Sequence, residues 1–165
     1  MPSDWISSKA EQENKQRADN LAEEERRKRE AELFKALGPQ LVKQLREVID
    51  DDIVAWNDKF PDRQVNGTSA NVLNGFSVAK LGFPRGMAEV KFNPDTLRIE
   101  VVLERSTMAG PSSSYKTEGY FYLKANPDGR DIHMEDRWRS VLMEPAGFSR
   151  IILESIAEPQ SNHMI

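Results

Sequence analysis

The chain has 165 residues, 38% of them hydrophobic, with 23 basic and 27 acidic side chains and a net charge of −4 at neutral pH. This length and composition predict one domain with a single core. The chain has no cysteine, which excludes disulfides, thiolate metal sites and thiol nucleophiles. Its longest hydrophobic runs are four residues, against the ~20 that a membrane span needs, so no membrane contact is expected. The first residues do not resemble a secretion signal, and the cytoplasm is the predicted location.

Residues 1–32 predict a charged arm that is helical or partly disordered. Leu21 is the single large apolar residue between positions 7 and 32, and acidic residues precede basic ones by four positions at Glu23/Arg27, Glu24/Lys28 and Glu25/Arg29. Such pairs stabilise an exposed helix. The basic run at 26–29 is flanked by glutamates, which favours a solvated helix over a nucleic-acid patch.

An amphipathic helix is predicted from Leu33 to Phe60, because apolar residues recur there at steps of three and four. Gly38 and Pro39 interrupt the pattern, so the helix either kinks or restarts at that point. Asp52 falls near the middle of the apolar stripe. A carboxylate in that position is either a tuned general acid or base, or a structural hydrogen-bond acceptor.

Beyond a polar linker at 61–71, the hydrophobic period changes from 3.6 to 2. Strands are expected at about 72–81, 86–92, 97–105, 117–124 and 130–135, and a helix is expected after Pro145. The stretch 138–143 fits either an extra strand or an approach to that helix. The predicted fold is α+β: a long N-terminal helix, an antiparallel meander of four or five strands and a C-terminal helix, with both helices packed on one face of the sheet. The domain is expected to span 33–158, followed by a tail at 159–165.

The alternation also predicts which residues face the core: Ala88, Val90, Phe92, Leu97, Ile99, Val101, Leu103, Phe121, Leu123, Ile132 and Met134. Symmetric turns then place Glu89 opposite Glu100 and Lys91 opposite Arg98. Like charges in directly opposed positions destabilise a sheet. Either diagonal contacts relieve this conflict or the turn is longer than the symmetric one.

The other face of the sheet is predicted to be open to solvent. We expect it to carry Tyr120, Tyr122, Lys124, His133, Glu135 and Arg98, with Tyr122 opposite His133 and Lys124 opposite Asp131. Aromatic, histidine and arginine side chains on an exposed sheet are typical of a binding surface. The alternative is that these cross-strand pairs only stabilise an exposed face.

Three functional hypotheses follow. The first is a small cytoplasmic binding or adaptor module for a protein partner or a second copy of the chain. The second is a small enzyme that uses Asp52 or the tyrosine–histidine surface, although the chain has no phosphate-binding loop and no nucleophile motif. The third is a weak single-stranded RNA binder, which is disfavoured because residues 33–165 hold 16 basic and 18 acidic side chains. No cofactor is expected, and His133 with Glu135 supplies too few ligands for a metal site.

Overall fold

The computed structural model describes residues 4–80, 82, 84–106, 114–138 and 140–158. The predicted tail at 159–165 lies outside these residues. The elements in chain order are helix α1 (Asp4–Lys59), a 3-10 turn (Pro61–Arg63), strands β1 (Gly75–Lys80), β2 (Arg85–Asn93), β3 (Arg98–Ser106), β4 (Ser114–Ala125), β5 (Ile132–Asp136) and β6 (Leu142–Met143), and helix α2 (Pro145–Ala157).

The six strands form one antiparallel sheet whose spatial order is the order of the chain. Both helices pack on the same face of the sheet, which confirms the predicted α+β architecture with one more strand than expected. The added strand is β6, whose two residues pair with Met134 and Glu135. The ambiguous stretch before α2 therefore contains a strand.

The predicted core residues are buried, with Leu97 as the exception. Leu97 is half-buried in the β2–β3 turn, where its backbone has a φ of 55°. The core also contains residues from β1, α1 and α2: Phe76, Val78, Leu45, Ile49, Phe148, Ile152 and Ile156. Alternation along the strands therefore identified the buried face correctly.

The β2–β3 turn is not longer than the symmetric turn but lies one residue further along the chain, at 94–97. Asn93 pairs with Arg98, and Lys91 pairs with Glu100, so the predicted opposition of like charges is wrong by two residues. Lys91 Nζ lies 3.3 Å from Glu100 Oε2, and the side-chain oxygen of Asn93 accepts the N–H of Asp95 at 2.9 Å within the turn. A shift of two residues keeps every side chain on its face while it replaces a repulsive pair with an attractive one.

The β4–β5 turn differs from the prediction in the same way. Tyr122 pairs with Glu135 rather than His133, and Lys124 pairs with His133 rather than Asp131. The N–H of Asn126 donates to the carbonyl oxygen of Asp131 at 2.8 Å and closes a four-residue turn at 127–130, one residue further along the chain than the symmetric turn. The predicted residues still share the open face, but their partners on the neighbouring strand differ from the predicted ones.

Helix α1 continues through Gly38 and Pro39, so the alternative of a restarted helix is wrong. Pro39 is exposed, as is Lys35 one turn earlier, so water can hydrate the carbonyl that the proline leaves without a donor. Gly38 is buried, and a Cβ at this position would lie 2.6 Å from two ring atoms of Phe92. Glycine thus allows the helix to approach β2 closely.

The first part of α1 extends from the core. Residues 4–29 are exposed except for the half-buried Glu23. The predicted ion pairs are present, with distances of 3.0 Å for Glu23–Arg27, 2.8 Å for Glu24–Lys28 and 3.4 Å for Glu25–Arg29. Across the described part of the chain, no helix combines the length and apolar character that a membrane crossing requires.

The segment 64–69, here called the strap, connects α1 to the edge of the sheet. Asn57 donates to the carbonyl oxygen of Val65 and accepts its N–H, both at 2.8 Å. Asp50 accepts the N–H of Thr68 at 2.9 Å and its hydroxyl at 2.8 Å. The strap also bridges to β1 through Ser69. The predicted linker is therefore a segment fixed against the helix and β1.

Candidate binding surface on the open face of the sheet

The open face is the side of the sheet that points away from α1 and α2. Side chains alternate along β4, so Phe121 and Leu123 enter the core whereas Tyr120 and Tyr122 point outward. Tyr120 is half-buried, and Tyr122 is 37% exposed. The predicted exposure of these two aromatic side chains follows from the strand phase.

Tyr120, Tyr122 and Arg98 form the centre of this face. The two tyrosine rings meet edge to face, with centroids 5.3 Å apart and an interplanar angle of 81°. Their hydroxyl oxygens are 3.4 Å apart. The guanidinium carbon of Arg98 lies 4.4 Å from the Tyr120 ring centroid and 5.1 Å from that of Tyr122. These distances are typical of cation–π contacts.

Arg137 and Trp138 extend this centre from the turn after β5. The guanidinium carbon of Arg137 lies 5.2 Å from the Tyr120 centroid and 4.3 Å from the Trp138 ring. Asp136 holds the turn, because its carboxylate accepts the N–H of Trp138 at 2.7 Å. Trp138 is 66% exposed. We call Arg98, Tyr120, Tyr122, Arg137 and Trp138 the tyrosine–arginine cluster.

Two members of the cluster were not among the predicted site residues. His133, Glu135 and Arg137 follow one another at a period of two, so extending the alternation of β5 by one step identifies Arg137. Trp138 lies in a turn whose backbone departs from strand geometry. The sequence has no periodic pattern that predicts the direction in which the Trp138 side chain points.

The pKa values of the two tyrosines in the cluster shift in opposite directions. The hydrogen bond with Tyr122 lowers the pKa of Tyr120, and the nearby guanidinium groups of Arg98 and Arg137 lower it further. The same hydrogen bond and the charge on Tyr120 raise the pKa of Tyr122. Tyr120 is therefore expected to ionise before Tyr122.

The remaining predicted residues border the cluster. His133 Nδ1 lies 2.7 Å from Asn126 Oδ1, and its Nε2 lies 3.4 Å from Glu135 Oε1. Lys124 is exposed beside His133 on the neighbouring strand. All six predicted open-face residues therefore occupy neighbouring strand positions. Within the described ranges, no group of three potential metal ligands is assembled.

An exposed apolar side chain lies at the β6 end of this face. Leu142 is 52% exposed. Leu142 pairs with Glu135, which pairs with Tyr122, which pairs with Arg98. A single row across four strands thus leads from a guanidinium group to an exposed aliphatic side chain.

Asp52 lies on the helix side of the sheet, apart from the cluster. The hydroxyl of Ser149 donates to Asp52 Oδ2 at 2.5 Å and so connects α1 with α2. Ser149 is fully buried, whereas Asp52 is half-buried beside a cleft of about 270 Å³ that Trp56 and Arg150 also line. The hydrogen bond gives this carboxylate a structural partner; a catalytic role for Asp52 remains a prediction.

Comparisons with known proteins add no functional assignment. No family model matches the chain, and no curated protein or solved structure has significant similarity to it. We therefore infer the function from the chemistry of the open face.

Proposed function

We propose that this protein is a binding or adaptor module that holds a protein partner on the open face of its sheet. The observation that carries the proposal is the tyrosine–arginine cluster, in which Tyr122 and Trp138 remain exposed although both are large and aromatic. Tyrosine, tryptophan and arginine are the residues most enriched in the energetic centres of protein interfaces. The cytoplasm, as predicted from the sequence, is the proposed location.

The rigidity of the cluster supports this proposal. Arg98 and Arg137 both stack on Tyr120, and Tyr120 and Tyr122 contact each other through their rings and hydroxyl groups. Side chains held in this way lose little rotamer entropy when a partner arrives. A preorganised aromatic surface favours binding, whereas a catalytic site additionally needs reacting groups that converge on a substrate.

The charges around the cluster favour a protein partner over RNA. Single-stranded nucleic acid is held by a basic groove that follows its phosphates. On this face, Lys91 is paired with Glu100, and the carboxylate of Glu135 lies beside His133. Glu118 adds a further carboxylate on the same side of β4. Such alternating charge gives no continuous basic track.

The test is a capture experiment with the purified, immobilised protein. Proteins retained by the wild type are compared with those retained by a Tyr122→Ser/Trp138→Ser variant. Tyr115→Ser is the matched control, because Tyr115 is 66% exposed on the same strand but lies outside the cluster. The proposal predicts a partner that the double variant loses and the control keeps. Retention of every partner by the double variant would show that the cluster is not the interface.

Light scattering on the same three proteins separates a foreign partner from a second copy. If the wild type and the control dimerise and the double variant does not, the partner on this face is the chain itself. A wild type that stays monomeric while it retains a foreign protein through the cluster agrees with the adaptor role.

A further inference from the structure

The two guanidinium groups of the cluster are not compensated by carboxylates. Among the described residues, neither Arg98 nor Arg137 forms an ion pair with an aspartate or glutamate; their contacts are with aromatic rings. Arg137 Nε is also buried without a hydrogen-bond partner in this part of the chain. An arginine carries five N–H donors, and the buried Nε–H of Arg137 shows that the described residues leave at least one donor of the cluster unused.

Two nearby carboxylates, those of Glu100 and Glu135, contact other residues. Glu100 receives Lys91 Nζ at 3.3 Å and the side-chain amide of Asn93 at 2.7 Å. Glu135 lies 3.4 Å from His133. These two acidic groups thus have partners other than Arg98 and Arg137, and neither guanidinium is neutralised by an ion pair among the described residues of a chain with a net charge of −4.

We infer that the partner on this face presents a short acidic segment, with carboxylates held by Arg98 and Arg137 and a neighbouring apolar side chain packed against Trp138 and Leu142. This inference rests on the proposed function and specifies the chemistry of the partner. The planar guanidinium fork matches the geometry of a carboxylate, and the exposed ring of Trp138 offers apolar area beside it.

The dimensions of the surface fit such a segment. Both guanidinium carbons lie within 5.2 Å of the Tyr120 ring centroid, so a segment that carries acidic side chains and lies across this ring can reach both groups. Arg98 and Leu142 are three strands apart in one row, a span of roughly 15 Å at the usual strand spacing. Four or five extended residues cover about that distance.

Binding of a defined acidic polymer tests this inference. The probe is a fluorescently labelled random copolymer of glutamate and tyrosine, and its binding to the full-length protein is followed by anisotropy at low salt. A lysine–tyrosine copolymer and polyuridylate are the comparison probes. We expect the glutamate–tyrosine copolymer to bind and the lysine–tyrosine copolymer to remain free, because the unpaired charge on the cluster is positive.

Variants then locate the binding. Arg98→Gln and Arg137→Gln should each weaken the affinity for the glutamate–tyrosine copolymer by at least about tenfold. Arg98→Lys, which keeps the charge but loses the planar fork, should give a smaller loss. Arg130→Gln is the control: it removes one exposed guanidinium from the β4–β5 turn and should change the affinity by less than about twofold. Circular dichroism and urea unfolding verify that each variant is folded.

Several results would overturn the inference. They are a wild type that does not bind the acidic copolymer, equal affinities for the Arg98, Arg137 and Arg130 variants, or tighter binding of polyuridylate that depends on the same two arginines. Absent binding of the acidic copolymer, or equal affinities of the three arginine variants, leaves the proposed function intact if the Tyr122→Ser/Trp138→Ser variant still loses a captured protein. The partner on this face would then not present an acidic segment. If that variant also loses no partner, both proposals are wrong.

Discussion

Replacement of Gly38 by alanine tests the closest approach of α1 to the sheet. Within an exposed helix this change stabilises a protein by about 1 kcal/mol, because alanine has the higher helix propensity. Here the new Cβ would lie 2.6 Å from Cδ2 and Cε2 of Phe92 and 2.8 Å from Cγ. Carbon atoms in contact are normally about 3.5–4.0 Å apart, so either the helix or the ring must move.

The magnitude follows from how little Phe92 can move. Its side chain is 2% exposed, so the ring has no route into solvent. Overpacking a buried site costs about 1–3 kcal/mol, which exceeds the propensity gain. We therefore expect Gly38→Ala to lower the free energy of unfolding by about 1 kcal/mol, as measured by urea titration with an unchanged denaturant slope.

Two controls isolate the contact with Phe92. Gly147→Ala places a methyl group in α2 where the nearest side-chain atom, Met143 Sδ, is 3.4 Å away, so this change should be neutral or slightly stabilising. In a Phe92→Leu background the same Gly38→Ala change should become less destabilising, which a double-mutant cycle measures. If Gly38→Ala stabilises the wild-type protein by about 1 kcal/mol, the helix does not approach β2 at this position and the packing argument is wrong.

Three further predictions concern the strap, α2 and the cluster. Asn57→Ala leaves the buried N–H of Val65 without its acceptor and should lower the free energy of unfolding by about 1–3 kcal/mol in urea titration; an unchanged midpoint would show that the strap contributes no stability. Ser155→Ala removes a buried hydroxyl that has no hydrogen-bond partner among the described residues and should raise the melting temperature, whereas a lower one would reveal a partner. Tyr122→Phe removes the hydrogen bond that most lowers the pKa of Tyr120, so the ultraviolet titration of Tyr120 should move to higher pH; an unmoved titration would show that the hydroxyl pair is not coupled.

Side-chain alternation was enough to predict the faces of the sheet but not its register. Alternation depends only on the backbone, so the burial of Phe121 and the exposure of Tyr122 followed directly. The register depends on which residues form each turn, and the turns after Asn93 and Asn126 lie one residue further along the chain than the symmetric ones. The conflict between Lys91 and Arg98 was the signal in the sequence that indicated a different register.

Alternation along the strands also explains why one part of the candidate site was predicted and another part was not. Arg98, Tyr120 and Tyr122 come together because they share the open face at neighbouring positions. Trp138 joins them through a turn held by the Asp136 carboxylate, and such a tertiary arrangement has no periodic signature. Gly38 is a similar case, because its role becomes visible only when Phe92 is placed against it.

The binding role of the open face is tested most directly by one double variant, Tyr120→Ser/Tyr122→Ser, whose stability and partner affinity are measured on the same sample. The two rings lie outside the core, so the variant should lose less free energy of unfolding than Phe121→Ala, for which the burial of Phe121 implies a loss of about 3–5 kcal/mol. Its affinity for the captured partner should fall by at least about tenfold. An unfolded double variant would place the tyrosines in the core, and a folded double variant with full affinity would show that this face is only a solvated surface of the sheet.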